Sequence, residues 1–367
     1  MGIGYKILVR PFLFLIDPET AHQLALRAGQ VIGKSALLRK LTAAFCRYSD
    51  PILRVRVAGV DFENPIGLAA GFDKNALLTP MIGSVGFGFA EVGSITGEAC
   101  AGNPRPRLWR LVKDKAIAVY YGLANEGADA IAARLDRHAF SVPIGISIVK
   151  TNDPSITGAR AAEDYAKSFL LFQPIADYIA VNVSCPNTAD GRDFCEPDSL
   201  GALLRRLDQC GVSKPVFLKI KPDMAHSEFD RMLAVCGRFP WITGFIISNL
   251  THSRDNLKTD SKVFERKKIR GGISGKPAQK LSNELLAYAY KKTRGRYALI
   301  GCGGVFSGRD AYEKIRLGAS LVELITGMIY EGPTLIGKIN KELAVLLRAD
   351  GFRSVREAVG TAHGKEF

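Results

Sequence analysis

Apolar positions recur with helical spacing over residues 1–50. Asp17, Pro18 and Glu19 read as a helix start: the aspartate caps, the proline takes the first helical position and the glutamate complements the dipole. Leu24, Leu26, Val31, Ile32, Leu37, Leu38 and Leu41 then build apolar faces among Arg27, Lys34, Arg39 and Lys40. Two readings of this segment stand. It is a helical layer packed on the main domain, or a helix pair lying on an acidic membrane surface. At residue 66 the pattern changes. Short apolar, β-branched runs at 66–71, 89–93, 143–148, 178–183, 216–220, 244–248, 298–302 and 321–325 alternate with helical stretches. Runs apolar throughout suit strands covered on both faces, so the alternation predicts an α/β fold, a (β/α)8 TIM barrel with an N-terminal helical extension. The expected organisation is a helical segment over 1–50, the barrel over 51–348 and a C-terminal tail over 349–367. The stretch between the second and third runs leaves room for extra strands.

Composition narrows this picture only slightly. A chain of 367 residues with 47% hydrophobic content can bury a large core, and no linker, repeat or low-complexity tract divides it. The formal charge of +14 suits nucleic acid, an anionic membrane surface or an anionic substrate, and equally a merely basic soluble protein. Seven scattered cysteines without a CxxC pair read as reduced thiols in a cytosolic compartment. With five equally scattered histidines they offer no metal site. The most apolar N-terminal stretch, residues 7–16, is short and broken by Arg10 and Pro11, so neither a membrane span nor a secretory signal is expected.

The candidate chemistry sits at the C-terminal ends of the runs, where a barrel of this type collects its active-site loops. The first run ends in Ala70, Gly71, Phe72, Asp73 and Lys74, and the second in Gly93, Ser94 and Thr96. Ser147 and Lys150 end the third, Asn182 to Thr188 the fourth, and Lys219 the fifth. Ser248 and Asn249 end the sixth, Gly303 and Gly304 the seventh, and Thr326 the eighth. Gly303 and Gly304 are either a tight turn or a phosphate loop whose backbone amides approach an anion closely. Residues 271–275 supply a second glycine-rich loop that favours the latter. Lys219, inside an otherwise apolar strand, needs a partner: a flavin ring whose reduced form is anionic, or a buried ion pair.

The motifs NPIGLAAGFDKN, GNPRPRLWRL, NVSCPNT, LKIKPD, GGISGKP and IGCGG stand in this order along the chain. DPETAH near the start and TGMIYEGP near the end extend the set over almost its whole length. In these motifs the sequence resembles the class 2, quinone-dependent and membrane-associated dihydroorotate dehydrogenases. The resemblance implies FMN across the barrel mouth, oxidation of (S)-dihydroorotate to orotate in de novo pyrimidine synthesis, and electrons passed to a membrane quinone. It places Ala70, Gly71, Lys74, Ser94, Ser147, Asn182, Lys219, Ser248, Gly275, Gly304, Ile325 and Thr326 against FMN. Lys74, Tyr120, Tyr121, Gly122, Asn182, Asn187 and Asn249 would border the substrate. His22 and Arg107 fall where the family lines its quinone tunnel; the plain alternative for His22 is a capping or surface residue.

Cys185 matches the position of the base, where class 2 enzymes usually carry serine. A thiol is far more acidic than a hydroxyl and can act as a base with less help. The plain alternative is a small buried residue in an altered site. Three further positions depart from the pattern: Val119 and Ser147 each replace an asparagine, and Leu250 replaces a threonine. Each polar partner lost from a site built for a polar ring weakens binding by about 1–3 kcal/mol. The alternatives are therefore a related FMN oxidoreductase on a different substrate, or a non-catalytic flavin-binding or structural subunit of a membrane protein complex. The implied location is peripheral, on the cytoplasmic face of an inner membrane; nucleic acid is not an expected partner.

Overall fold

The structure, a computed structural model, describes residues 4–135, 140–184, 194–255 and 257–364. Eight parallel strands close a barrel in sequence order: β1 (Ile66–Leu68), β2 (Phe89–Ile95), β3 (Ile144–Ile148), β4 (Tyr178–Asn182), β5 (Val216–Ile220), β6 (Ile242–Ile247), β7 (Ala298–Cys302) and β8 (Leu321–Leu324). The last strand pairs with the first through Val322 and Ile66. Each strand falls on one of the eight apolar runs. Helices outside and packed side chains inside bury both faces, so hydrophobicity runs along these strands without alternation. This is the (β/α)8 barrel expected from the sequence.

The floor of the barrel is aromatic. Phe89 of β2, Tyr178 of β4 and Phe217 of β5 meet edge to face, with ring centroids 6.4 and 5.5 Å apart. Gly67 and Gly145 make room for them: a Cβ would come within 2.3 Å of the Phe89 ring at the first, and within 2.0 Å of the Tyr178 ring at the second. One layer higher, two residues along β2 and β5, the interior becomes charged with Glu91 and Lys219.

The stretch between β2 and β3 does contain strands. Leu108–Leu111 and Ala116–Val119 form an antiparallel pair, and Gly272–Gly275 joins as the third strand. The glycine-rich segment expected to be a loop is thus largely a strand, and only its end, Gly275 at φ +93°, turns toward the barrel mouth.

Ahead of the barrel, α1 (Arg10–Leu15), α2 (Pro18–Lys34) and α3 (Ala36–Cys46) form a helical layer. Asp17 caps α2 by accepting from the Thr20 amide at 2.9 Å, and Ser35 caps α3 by accepting from that of Leu38. One face of α2 packs on the barrel through Ala21, Leu26 and Gly29. At Gly29 an added Cβ would stand 2.5 Å from Leu78, so glycine sets how closely the layer approaches. Other apolar side chains of the layer are left open: Phe12 is 70% exposed and Leu15 83% on α1, and Leu37 and Phe45 are exposed on α3. The packed face is that of the helical layer expected from the sequence. At the other end, helix Leu335–Ala349 packs beside the barrel, and Arg348 pairs with Asp50 at 2.8 Å.

Candidate active site

A cavity of about 460 Å³ runs from the apolar inner faces of α1 and α2 down to the tips of the barrel strands. A second hollow of about 80 Å³ adjoins it beneath Gly303 and Gly304, and Lys219, Asn249 and Thr326 line both. Most of the residues singled out in the sequence converge here. Ala70, Gly71, Lys74, Ser94 and Asn182 border the larger space. Ser248, Gly275 and Gly304 border the smaller, and Ile325 both. Tyr121, Gly122, Val119 and Leu250 form the side of the larger space facing the three-stranded sheet.

At the strand tips the polar groups hold one another. Asn182 donates to Ser94 Oγ at 3.0 Å, and Ser94 meets Ser147 Oγ at 2.8 Å. Asn249 donates to Asn182 Oδ1 and to the Ser184 carbonyl, each at 3.2 Å. Such cross-linked amides have fixed orientations and present a preset hydrogen-bonding edge. Ser147 is completely buried and stands behind Ser94 rather than at the cavity wall. Tyr120 is also absent from the wall: its carbonyl accepts from Asn103 on the far side of the strand end. Cys185 and Asn187 lie outside the described residues.

Lys74 donates to the Gly71 carbonyl at 2.7 Å, and its ammonium sits 3.8 Å from the centroid of the Tyr121 ring. Burial pulls its pKa down to about 8, with Glu19 opposing and Arg107 adding to the fall. It remains a cation at neutral pH, well placed for a carboxylate. The Arg107 guanidinium covers the same ring at 4.8 Å.

Lys219 has the ion pair that was one of its two sequence readings. Its ammonium lies 2.6 Å from Glu91 and 3.6 Å from Glu323, all three within the barrel. Burial would discharge it, but the two carboxylates outweigh that and hold its pKa above the ordinary value. Glu323 is itself pushed up to about 8, first by burial and then by Glu91. Neither glutamate was singled out from the sequence. The signal was there: each is one acidic residue inside an apolar run, FAEVG or LVELI, as Lys219 is in VFLKI.

The outer part of the cavity is apolar, lined by Leu13, Phe14, Ala25 and Ile32 on the helices and by Met328 and Ile329 opposite. His22 stands at the junction with the inner part. Its Nε2 lies 2.8 Å from the Phe72 carbonyl and its Nδ1 3.3 Å from Tyr121 Oη. Burial, helped by the charge of Lys74, pulls its pKa to about 3, so the imidazole is neutral. The expectation for Arg107 needs correcting. It is not among the residues bordering the cavity and is fully engaged, 2.7 Å from Glu19 and donating to the Ala101 and Asn103 carbonyls. The arginine at the wall is Arg110, stacked 4.7 Å from Phe14 and donating to the Ile16 carbonyl. Strand alternation explains the choice: Leu108 and Arg110 face the cavity, whereas Trp109 and Leu111 pack in a separate cluster behind.

A closed parallel barrel that collects a lysine, several amides and a glycine loop at its strand tips defines a (β/α)8 enzyme with one composite ligand site. A family model described as dihydroorotate dehydrogenase matches residues 52–347. Dihydroorotate dehydrogenase (quinone) of Gloeobacter violaceus is 42% identical over 357 residues, covering 97% of this chain and 98% of its own. The enzyme of the same name from Nocardia farcinica is 41% identical, covering 98% and 97%. A crystal structure of DHODH from Eimeria tenella in complex with ferulenol superimposes with a TM-score of 0.81 at 32% identity, covering 95% of this chain and 96% of that one. The chain belongs to the dihydroorotate dehydrogenase family.

Proposed function

We propose that this protein oxidises (S)-dihydroorotate to orotate on bound FMN, a step of pyrimidine synthesis, and passes the electrons to a membrane quinone. The observation that carries this reading is the single cavity joining an apolar entrance between α1 and α2 to the amide-lined strand tips. A lipid-soluble acceptor and a charged pyrimidine need those two unlike ends. The residues fit a flavin mononucleotide. Gly275, Gly303 and Gly304 leave backbone exposed around the smaller hollow, and an added Cβ at Gly304 would stand 2.3 Å from Gln279. Lys219 supplies a cation where the ring would lie. FMN, when bound, supplies the two-electron acceptor.

The chain supplies the rest. Lys74 takes the substrate carboxylate, while Asn182, Asn187 and Asn249 match the alternating N–H and C=O edge of the ring. Cys185 removes the C5 proton. His22 and Arg110 border the quinone end. The exposed apolar face of α1 and α3, in a chain of charge +14, seats the entrance on an anionic membrane surface. No helix among the described residues is long and apolar enough to cross the membrane. We therefore assign residues 1–50 to membrane and quinone access, 51–348 to the FMN-binding barrel and 349–367 to a tail, with the protein peripheral on the cytoplasmic face of an inner membrane.

Val119 and Leu250 at the wall favour a second reading, the same flavin chemistry on a less polar substrate. Anaerobic mixing separates the two. The purified protein should be yellow, with one FMN per chain, and dihydroorotate should bleach the flavin band. Bleaching by another dihydropyrimidine but not by dihydroorotate would select the second reading, and a colourless protein that refuses FMN would refute both.

A further inference from the structure

Lys314 is completely buried on the helix Gly308–Arg316, which follows β7, yet both its hydrogen-bond acceptors are neutral. Its ammonium donates to Ser282 Oγ at 2.9 Å and to Asn283 Oδ1 at 2.7 Å. Among the described residues no carboxylate forms an ion pair with it. Asp310, on the same helix, is taken by Lys276 at 2.9 Å and by the Phe306 amide, and Glu313 points to solvent. Burial lowers the pKa of Lys314 to about 8, which still leaves a cation at neutral pH. A buried charge without a counter-charge is costly, so a resident lysine here calls for an anion close by.

The relay from Lys314 points to where that anion sits. Ser282 Oγ accepts from Lys314 and donates to the Cys302 carbonyl at 2.6 Å, the carbonyl of the Cys302–Gly303 peptide. The side chain of Ser282 lies directly against Gly303, where an added Cβ would be 3.3 Å from its Cβ. A peptide whose carbonyl accepts a strong hydrogen bond offers a more polarised N–H on its other side. Here that N–H belongs to Gly303, at the wall of the smaller hollow.

We infer that Lys314 is a positioning residue for a phosphate ester, the buried counter-charge that acts through Ser282 on the Cys302–Gly304 loop and makes the site prefer a phosphorylated flavin over its unphosphorylated form. This rests on the flavin reading above and adds to it the residue that senses the phosphate. A residue of purely structural use would not distinguish the two flavins.

The test titrates flavin-free protein with FMN and with riboflavin, followed by quenching of flavin fluorescence. Lys314→Met, which keeps the side-chain length, should cut the preference for FMN over riboflavin by about tenfold, with Ser282→Ala moving it in the same direction. An unchanged preference, or equal losses for both flavins, would overturn the proposal. If the variants do not fold, wild-type protein with ¹³C-labelled lysine decides. FMN should raise the pKa of the Lys314 ammonium and riboflavin should not; an equal response to both overturns the inference. Failure of either flavin to bind wild-type protein would instead remove the flavin reading, and this one with it.

Discussion

Replacing Lys219 with methionine keeps the stem of the side chain and removes the cation that stands between Glu91 and Glu323. Both carboxylates are completely buried. Removing one partner of a buried pair typically costs about 3–5 kcal/mol, because a charge is left without compensation. The carboxyls have one escape, which is to bind a proton. In the wild type Glu323 is already pushed up to about 8, so the folded chain keeps a proton that the unfolded chain releases above its ordinary carboxyl pKa. With more protons bound in the native state, stability falls as pH rises between those two values. Without Lys219, the cation that restrains its pKa is gone, so Glu323 keeps its proton to still higher pH and the fall extends further, at up to about 1.4 kcal/mol per pH unit. Urea unfolding of flavin-free protein at pH 5.5 and pH 8 measures both effects. Lys219→Met should lose more stability at pH 8 than at pH 5.5, and the added change Glu91→Gln should recover part of the loss at pH 8. A penalty below about 1 kcal/mol, equal at the two pH values, would refute the account of the barrel interior as an interdependent charge cluster.

Three other outcomes are expected. Cys185→Ala should slow anaerobic flavin reduction by dihydroorotate about 10²–10⁴-fold while leaving FMN affinity unchanged; an unchanged rate would reject Cys185 as the base. The His22 imidazole, held near pKa 3, should show no NMR titration between pH 5 and 8. Because the unfolded chain alone takes up that proton below about pH 6.5, His22 lowers stability as pH falls through this range; a midpoint near 6.5 in the folded protein would contradict its burial. Phe12→Glu combined with Leu15→Glu should abolish binding to anionic lipid vesicles and spare flavin content. This pair is a cleaner probe than deleting residues 1–50, which would also strip Glu19 from Arg107.

The barrel was legible because its strands are covered on both sides: continuous apolar runs leave little freedom in placing eight of them. The tips were legible for the opposite reason, since lysines and amides recur at the ends of so many apolar runs, where a barrel gathers its ligand contacts. What escaped depends on distant partners. Gly272–Gly275 is a strand only because Ala116–Val119 lies beside it, more than 150 residues earlier, and no local pattern announces that pairing. Arg107 and Arg110 sit in one motif, but Arg107 precedes the strand and pairs with Glu19 whereas Arg110 lies within it and faces the cavity, a difference that residue type does not disclose. Ser147 matches a motif position but lies behind Ser94, a difference of depth that only packing decides. Glu91 and Glu323 could have been paired with Lys219 from sequence, as two acidic residues and one basic residue in three buried strands.

The wall that α1 and α2 lend to the long cavity has its own bearing on how such an enzyme could change. Helix α2 precedes the barrel and contributes small residues, Ala25 and Ala28 among them, to the passage. Swapping one of them for a bulkier group would narrow the doorway while every strand tip kept its place. Which oxidants are admitted, and which blocking compounds lodge there, can therefore drift separately from the chemistry at the far end.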